Sequence, residues 1–294
     1  MLANDVPARN VHARAHPVAL GHAQALDVAM ANARQALAQA QQSSCVDVAV
    51  LHDLNELEDA RTVCDVVWPE TNGGTQLQPN LLRAMIHAGG YACAAYRDGR
   101  PIGAAIAFVG RHQEVDGQWH MHLHSHMAAV LPEFRDQGIG VALKVHQRLW
   151  ALEHGLPVVT WTFDPLVRRN ARLNLIKLGA LARGYEVNFY GQMPDALNAS
   201  DESDRMFAWW EVVSHRANSA GDGSLTTIHP GDYPDAVVVE LPEDIVALRT
   251  RDPAAARQWR LSVRSGILSA LRDGKVIRGL SPSGGYVLTA EVDA

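Results

Sequence analysis

The run from His120 to Lys144, HMHLHSHMAAVLPEFRDQGIGVALK, constrains the fold more tightly than any other stretch of this 294-residue chain. Its first half alternates polar and apolar residues as a strand does, and Pro132 opens a turn. After Gly140, Val141, Leu143, Val145 and Leu149 recur at helical spacing with no proline before Pro157. The order is strand, glycine-bearing loop, helix. A helix N-terminus carries unpaired backbone N–H groups and a positive dipole end, and glycines let an anion approach the main chain. Gly138 and Gly140 would open the amides from about Gln137 to Ala142 to a phosphate, with Arg135 adding a charge-assisted contact. On the glycines alone, a tight turn that binds nothing stays open.

Val130-x-Pro132-x-x-Arg135-x-x-Gly138-x-Gly140-x-Ala142, between strand and helix, resembles the acyl-CoA pyrophosphate loop of the GNAT acyltransferase superfamily. The longer run through Trp161-Thr162-Phe163-Asp164-Pro165 and Arg169-Asn170-Ala171 to Lys177-Leu178-Gly179-Ala180 resembles a less characterised bacterial branch of GNAT-like proteins. The general resemblance spans about residues 46 to 192. It implies an α/β (α+β) fold in which a mixed, mostly antiparallel sheet, flanked by helices, splays apart beside the loop. It implies acetyl-CoA or another acyl-CoA as co-substrate, its pantetheine arm in the gap. Val130, Arg135, Gln137, Gly138, Ile139, Gly140, Val141 and Ala142 are then the cofactor-binding positions.

The expected organisation is an N-terminal extension with a helix (1–45), a GNAT domain (46–195), a linker (196–205) and a smaller C-terminal α/β appendage (206–294). A hydrophobic content of 47% is ample for a buried core. A net charge of −6 without a basic run argues against nucleic acid or an anionic membrane as partner. No apolar stretch reaches membrane-spanning length and the first residues lack a secretory pattern, so the expected location is cytoplasmic. Cys45, Cys64 and Cys93 have neither disulfide nor zinc spacing.

Taken in order, residues 1–17 show no clear period, and 18–42 reads as an alanine-rich helix. Its thin apolar face suggests a peripheral place on the body or on a second copy, which leaves a homodimer open. Val46–Leu51 reads as a strand and Asn55–Val67 as a helix capped by Asn55. A short helix follows at Leu81–His87. Asp98-Gly99-Arg100 links two strands as a hairpin. The segment between the first two strands shapes the acceptor pocket in GNAT folds, so Trp68, Glu70 and Asn72 are candidate substrate contacts, although a simple packing role is the favoured reading of Trp68.

His120, His122, His124 and His126 share one face of a regular strand. Three readings compete: a solvated or hydrogen-bonded row, a metal site, and general base catalysis. For a metal there is no partnering cysteine or acidic pattern. Amine acylation needs a neutral nucleophile, and imidazole titrates near neutrality. His124-x-His126 ahead of Phe134-Arg135-x-Gln137-Gly138-x-Gly140 resembles the histidine pair and cofactor loop of arylalkylamine N-acetyltransferases. That likeness makes His124 and His126 the catalytic candidates. A bulge, common in this strand of GNAT proteins, would turn histidines to the other face.

Val158–Phe163 reads as a strand and Val167–Leu178 as a helix on which Asn170 and Asn174 share a face. The resemblance sets that helix beside the pantetheine arm, so both are candidate cofactor contacts. Many GNAT enzymes have a tyrosine four residues before the glycine that closes this helix, where this chain has Leu175. Tyr185 and Tyr190 do not match the motif, and the general acid stays unassigned. Asn198 to Asp204 reads as a surface run, Trp209, Trp210 and Trp259 as core, and Arg205, Arg249 and Arg251 as solvated. The expected function is N-acyl transfer from acyl-CoA, acetyl or succinyl, to a small-molecule amine or amino acid, without a metal. A non-catalytic acyl-CoA-binding or sensing module is the alternative.

Overall fold

A computed structural model describes residues 19–69, 74–114, 116–191 and 201–291. The loose segment expected at 1–17, Glu70, Asn72 and half of the expected linker (196–200) lie outside them. Helix α1 (Ala19–Ser44) is built on alanine, and Ala29, Ala33 and Ala36 are buried at three- and four-residue spacing. Small side chains let it approach α4 (Ile139–Glu153) closely. The thin apolar face therefore does not make it peripheral, as expected from the sequence: α1 packs along α4 as part of the core.

Strand β1 (Asp47–Val50) leads into α2 (Leu54–Val67). The cap of α2 is Asp53 rather than Asn55: its carboxylate accepts from the backbone of Asn55 and Glu56, and Glu56 reaches back to the cap. Leu57, Ala60, Val63, Cys64 and Val67 form its buried face. After α3 (Pro79–His87) come β2 (Tyr91–Arg97), β3 (Arg100–Gln113) and β4 (Trp119–Val130), paired antiparallel. The chain continues through α4, β5 (Val158–Phe163), α5 (Arg168–Arg172), β6 (Leu181–Glu186), β7 (Arg205–Glu211) and α6 (His215–Gly221). It ends with β8 (Val237–Val239), α7 (Ile245–Arg251), α8 (Pro253–Arg272), β9 (Lys275–Leu280) and β10 (Tyr286–Ala290).

The ten described strands form one sheet in the order β1-β2-β3-β4-β5-β7-β6-β9-β10-β8. Every pairing is antiparallel except β4 with β5. Strand β7, where the appendage was expected to begin, instead lies between β5 and β6 and pairs with β5 over its whole length, from Val158↔Glu211 to Phe163↔Met206. Its inward residues Met206, Ala208 and Trp210 are buried against the preceding elements, so the sheet runs unbroken across residue 206. Strands β9, β10 and β8, with α7 and α8, extend that sheet.

Buried charges tie the late elements to β5. Asp164, at the end of β5, meets Arg249 at 2.5 Å and Arg260 at 3.3 Å. Asp201 meets the same two arginines at 3.1 and 2.8 Å, and Asp204 pairs with Arg264 at 2.8 Å. In the described part of the acidic run, Asp201 and Asp204 are thus inward-turned anchors rather than a solvated surface, while Glu202 stays exposed. Arg249 is only 5% exposed, and Arg205 is buried; Arg251 is exposed as expected. Burial pushes the Asp164 carboxyl up, but Arg260 and Arg249 outweigh it and hold the group below its ordinary range. On the other side, Arg148 is buried and donates to Val212 O, Asn32 Oδ1, Ala217 O and Asn218 Oδ1, joining α1, α4 and α6.

Removing one partner of a buried pair strands the rest, so Asp164→Asn is expected to cost about 3–5 kcal/mol in urea unfolding at neutral pH. Because the folded pKa is depressed, this contribution is present above the unfolded carboxyl value and lost as pH falls through the folded one. The stability difference between parent and variant is therefore expected to shrink below about pH 3.9.

Candidate active site

Strands β4 and β5 are bonded at Leu123↔Val159 and His124↔Thr160 and then part. Each stays paired on its outer side: β4 with β3 up to Gly103↔Val130, β5 with β7 up to Phe163↔Met206. The result is a wedge open toward the C-terminal ends of both strands. At its apex β4 carries a bulge. Ile106 faces Met127 and Ala107 faces Ser125, which leaves His126 without a partner on β3.

The bulge divides the strand. Before it, His120, His122 and His124 stand opposite His112, Gly110 and Phe108 on one face. Beyond it the alternation is inverted, and Val130 shares a side with Gly103, whose missing side chain leaves room for Ile139 and Leu143 of α4. The His126 ring remains beside the histidine face, 6.3 Å from the His124 ring and 5.8 Å from Phe108. His124 is half-buried, with Nδ1 3.2 Å from Thr160 Oγ1 across the last paired position. Burial, reinforced by the charges of His126, His122 and Lys144, lowers it to about 4. His126 is exposed in the wedge and lowered by the same partial desolvation. Both are neutral imidazoles at neutral pH.

The remaining two histidines belong to another group. His122 Nδ1 lies 3.2 Å from His112 Nδ1, and His112 Nε2 lies 3.4 Å from Glu114. His112 packs edge-on against Trp209, itself under the Arg183 guanidinium. Among the described residues no cluster of three or more His, Cys, Asp or Glu side chains is arranged to hold a metal.

At the far end of β4, the loop enters α4 through Gly138, whose φ of 82° is left-handed and disfavours any side chain. No side chain caps this helix. The amides of Val141 and Ala142 are taken by Gly138 O, at 3.0 and 3.1 Å. The open set therefore narrows from the predicted Gln137–Ala142 to the N–H groups of Gln137, Gly138, Ile139 and Gly140. Ile139 and Ala142 are buried and pack the helix on the sheet, and Val141 is half-buried. Gln137 accepts from Arg97 at 2.9 Å, and Arg97 also holds the C-terminal carbonyls Ser44 and Cys45 beyond α1. Arg135 is half-buried.

The helix after β5 departs from expectation. It is α-helical only over Arg168–Arg172 and then widens to a π-helical turn, Leu173–Lys177. The wider turn breaks the four-residue register: Asn170 is half-buried, whereas Asn174 is 3% exposed and accepts from Trp161 Nε1 at 3.3 Å. Asn174 is thus turned into the core. Leu175 is buried, Tyr185 is buried and donates to Asp204, and Tyr190 reaches Thr162 on β5 at 3.0 Å. Trp68 packs partly buried on the core.

Sequence reasoning missed Ser125, Lys144, Trp161 and Thr160 around the apex. The one available signal was a polar series, Lys144, Gln147 and Arg148, on an otherwise apolar helix.

Residues 51–179 match the family model described as the Acetyltransferase (GNAT) family. No curated protein matches the chain. Among solved structures, it is similar to the ribosomal-protein-S18-alanine N-acetyltransferase from Escherichia coli, with 14% identity and a TM-score of 0.44 over 57% of this chain and 94% of that one. It is similar to a GNAT family acetyltransferase from Elizabethkingia anophelis with acetyl-CoA bound, with 15% identity and a TM-score of 0.41 over 56% of this chain and 97% of that one. No helix among the described residues is long and apolar enough to cross a membrane. The segment that matches the family model begins just after β1 and runs through the parted strands and the open N-terminus of α4 to Gly179, and over it the chain matches the GNAT acetyltransferase family.

Proposed function

We propose that this chain moves an acyl group, acetyl or a larger one such as succinyl, from acyl-CoA to the amine of a small molecule or amino acid by direct attack in a ternary complex. The observation that carries the reading is the wedge itself. Its two edges hold unpaired strand backbone, an imidazole stands at its apex, and an uncapped helix N-terminus closes its wide end.

Buried or ligand-covered backbone groups need partners, and the facing edges of β4 and β5 beyond the apex can pair with the amides of a pantetheine arm laid between them. The N–H groups of Gln137 to Gly140, with Arg135, would hold the diphosphate. The donor supplies an activated thioester carbonyl; the protein supplies position and proton transfer. His126 accepts the proton of the attacking amine, and the Thr160 contact fixes the neighbouring ring of His124. A backbone N–H near Ala128 or Ala129 would face the developing oxyanion. No covalent enzyme intermediate is needed: burial pushes the Cys93 thiol up to about 12, which leaves it a poor nucleophile. Phe108, Trp209 and Tyr190 line the same sheet face as the histidines, and Trp68, Glu70 and Asn72 remain proposed acceptor contacts.

Two measurements test this. Gly140 does not need a positive φ, and a Cβ there would meet only Leu173 at 4.0 Å. Gly140→Glu is therefore expected to fold and to repel the diphosphate. A ligand at a hundred times its Kd contributes about 2.7 kcal/mol, so CoA and acyl-CoAs should raise the parent Tm by a few degrees and leave the variant unmoved. Absence of a shift in the parent would make the loop a structural turn.

His126→Ala is expected to lower kcat by about a hundredfold or more while keeping the CoA-induced shift. A base must be neutral to act, so activity falls as pH drops through its pKa. With the His126 pKa lowered by desolvation, the acid limb of the parent profile is expected below about pH 6.5, the free imidazole value. Unchanged turnover in the variant would remove His126 as base. CoA binding without turnover of any amine would favour the sensing module.

A further inference from the structure

On the other face of the apex from the histidines lies a charge that the transfer scheme above does not use. Lys144, in the second turn of α4, is 4% exposed. Its Nζ donates to Ser125 Oγ at 2.7 Å and Gln147 Oε1 at 3.1 Å, and sits 3.9 Å from the centre of the Trp161 ring. Among the described residues it forms no ion pair. An ammonium taken out of water without a counter-ion is unfavourable, and a structural helix position could hold leucine at no such penalty.

The position is specific. Ser125 is the last β4 residue before the bulge at His126, and Trp161 is the first β5 residue past the final β4–β5 pair. The ammonium therefore lies beneath the level at which the strands part. Gln147, fully buried beside it, has an Nε2 without a partner. The titratable groups whose charge reaches Lys144 are Cys93 on β2 and His124 on β4. Burial brings the Lys144 ammonium down to about 7, with the Cys93 interaction opposing that shift. On the helix after β5, Leu175 is buried and Asn174 is turned into the core, and the Tyr185 hydroxyl is given to Asp204, so none of them offers a proton at the apex.

We propose that the Ser125 hydroxyl gives its proton to the departing thiolate and that Lys144 replaces it, so that the proton store of the transfer stands on α4. The inference rests on the acyl-transfer reading. As the amine nitrogen bonds to the carbonyl carbon, His126 takes the amine proton. Collapse of the adduct breaks the C–S bond, and sulfur leaves with the electron pair. The Ser125 O–H proton passes to sulfur and a Lys144 N–H proton refills the hydroxyl. Lys144, left neutral, is reprotonated from solvent, and His126 releases its proton there. Ser125 is the group that meets the substrate; Lys144 is a positioning residue and proton store.

Two readouts test it. With lysine labelled at the ε-amine, one resonance should titrate near neutrality and be absent in Lys144→Met. CoA should move that titration and desulfo-CoA, which binds alike but lacks the thiol, should not. In kinetics, Lys144→Met and Ser125→Ala should each lower kcat about a hundredfold with the CoA-induced Tm shift kept, and Lys144→Met should abolish the alkaline limb of the kcat profile. Lys144→Arg keeps the charge but not a transferable proton, so it should not rescue. If Lys144→Met fails to fold, Ser125→Ala and the parent titration decide. Equal titration with CoA and desulfo-CoA, or variants with an unaltered alkaline limb, would overturn the assignment. A parent that transfers no acyl group while CoA still moves the lysine titration would overturn the acyl-transfer reading instead.

Discussion

Everything distinctive about this molecule depends on a parallel seam two residue pairs long. The sheet is two antiparallel blocks, β1 to β4 and β5 to β10, joined where β4 meets β5 at Leu123↔Val159 and His124↔Thr160. Past that point each strand keeps its outer partner and gives up its inner one. Strand backbone seeks hydrogen bonds, so the facing edges form a slot that water or an extended ligand with amides of its own can fill. The seam is short because β4 twists away at its bulge, which strengthens the local coil and turns the following residues over.

A seam this short cannot hold the two blocks alone. The first tie is α1 and α4, with Arg148 reaching from α4 to Asn32 on α1 and to Val212, Ala217 and Asn218 after β7. A buried guanidinium with five donors can satisfy carbonyls from several segments at once, which fixes their relative placement more sharply than apolar packing does. The second tie lies at the open end. There Asp164 and Asp201 share Arg249 and Arg260, while Tyr286 on β10 donates to Pro165 O at 2.9 Å. The late helices thus brace the end of β5 that the wedge leaves without β4.

What the sequence made legible follows from how local the signals were. The strand Val158–Phe163 occurs at its predicted bounds, because β-branched and aromatic residues and the Asp164-Pro165 turn define it within a few residues. Gly138 and the strand–loop–helix order were equally visible. Three things were not. Alanines at 29, 33 and 36 carry little hydropathy, so a helix that packs by close approach looked peripheral. The acidic run at 201–204 has the composition of a linker, and only partners 48 to 60 residues later turn Asp201 and Asp204 inward. The place of β7 between β5 and β6 is a long-range pairing that no local pattern encodes.

The bulge also explains why the titratable groups near the apex do not neutralise one another's purpose. His124 and His126 stand on one side of the sheet and Lys144 on the other, separated by the backbone of Ser125 and its neighbours. All three are pushed toward their neutral forms by desolvation, the histidines below their ordinary value and the lysine to about 7. Desolvation acts alike on both sides because the same converging strands and helices exclude water from the apex. Yet it leaves the groups with different capacities, since an imidazole held neutral keeps a free lone pair for a proton while a lysine at about 7 can still give one up. One fold feature, the parting of two strands over a bulge, therefore sets the proposed acceptor and donor within one site and keeps their protons on separate faces.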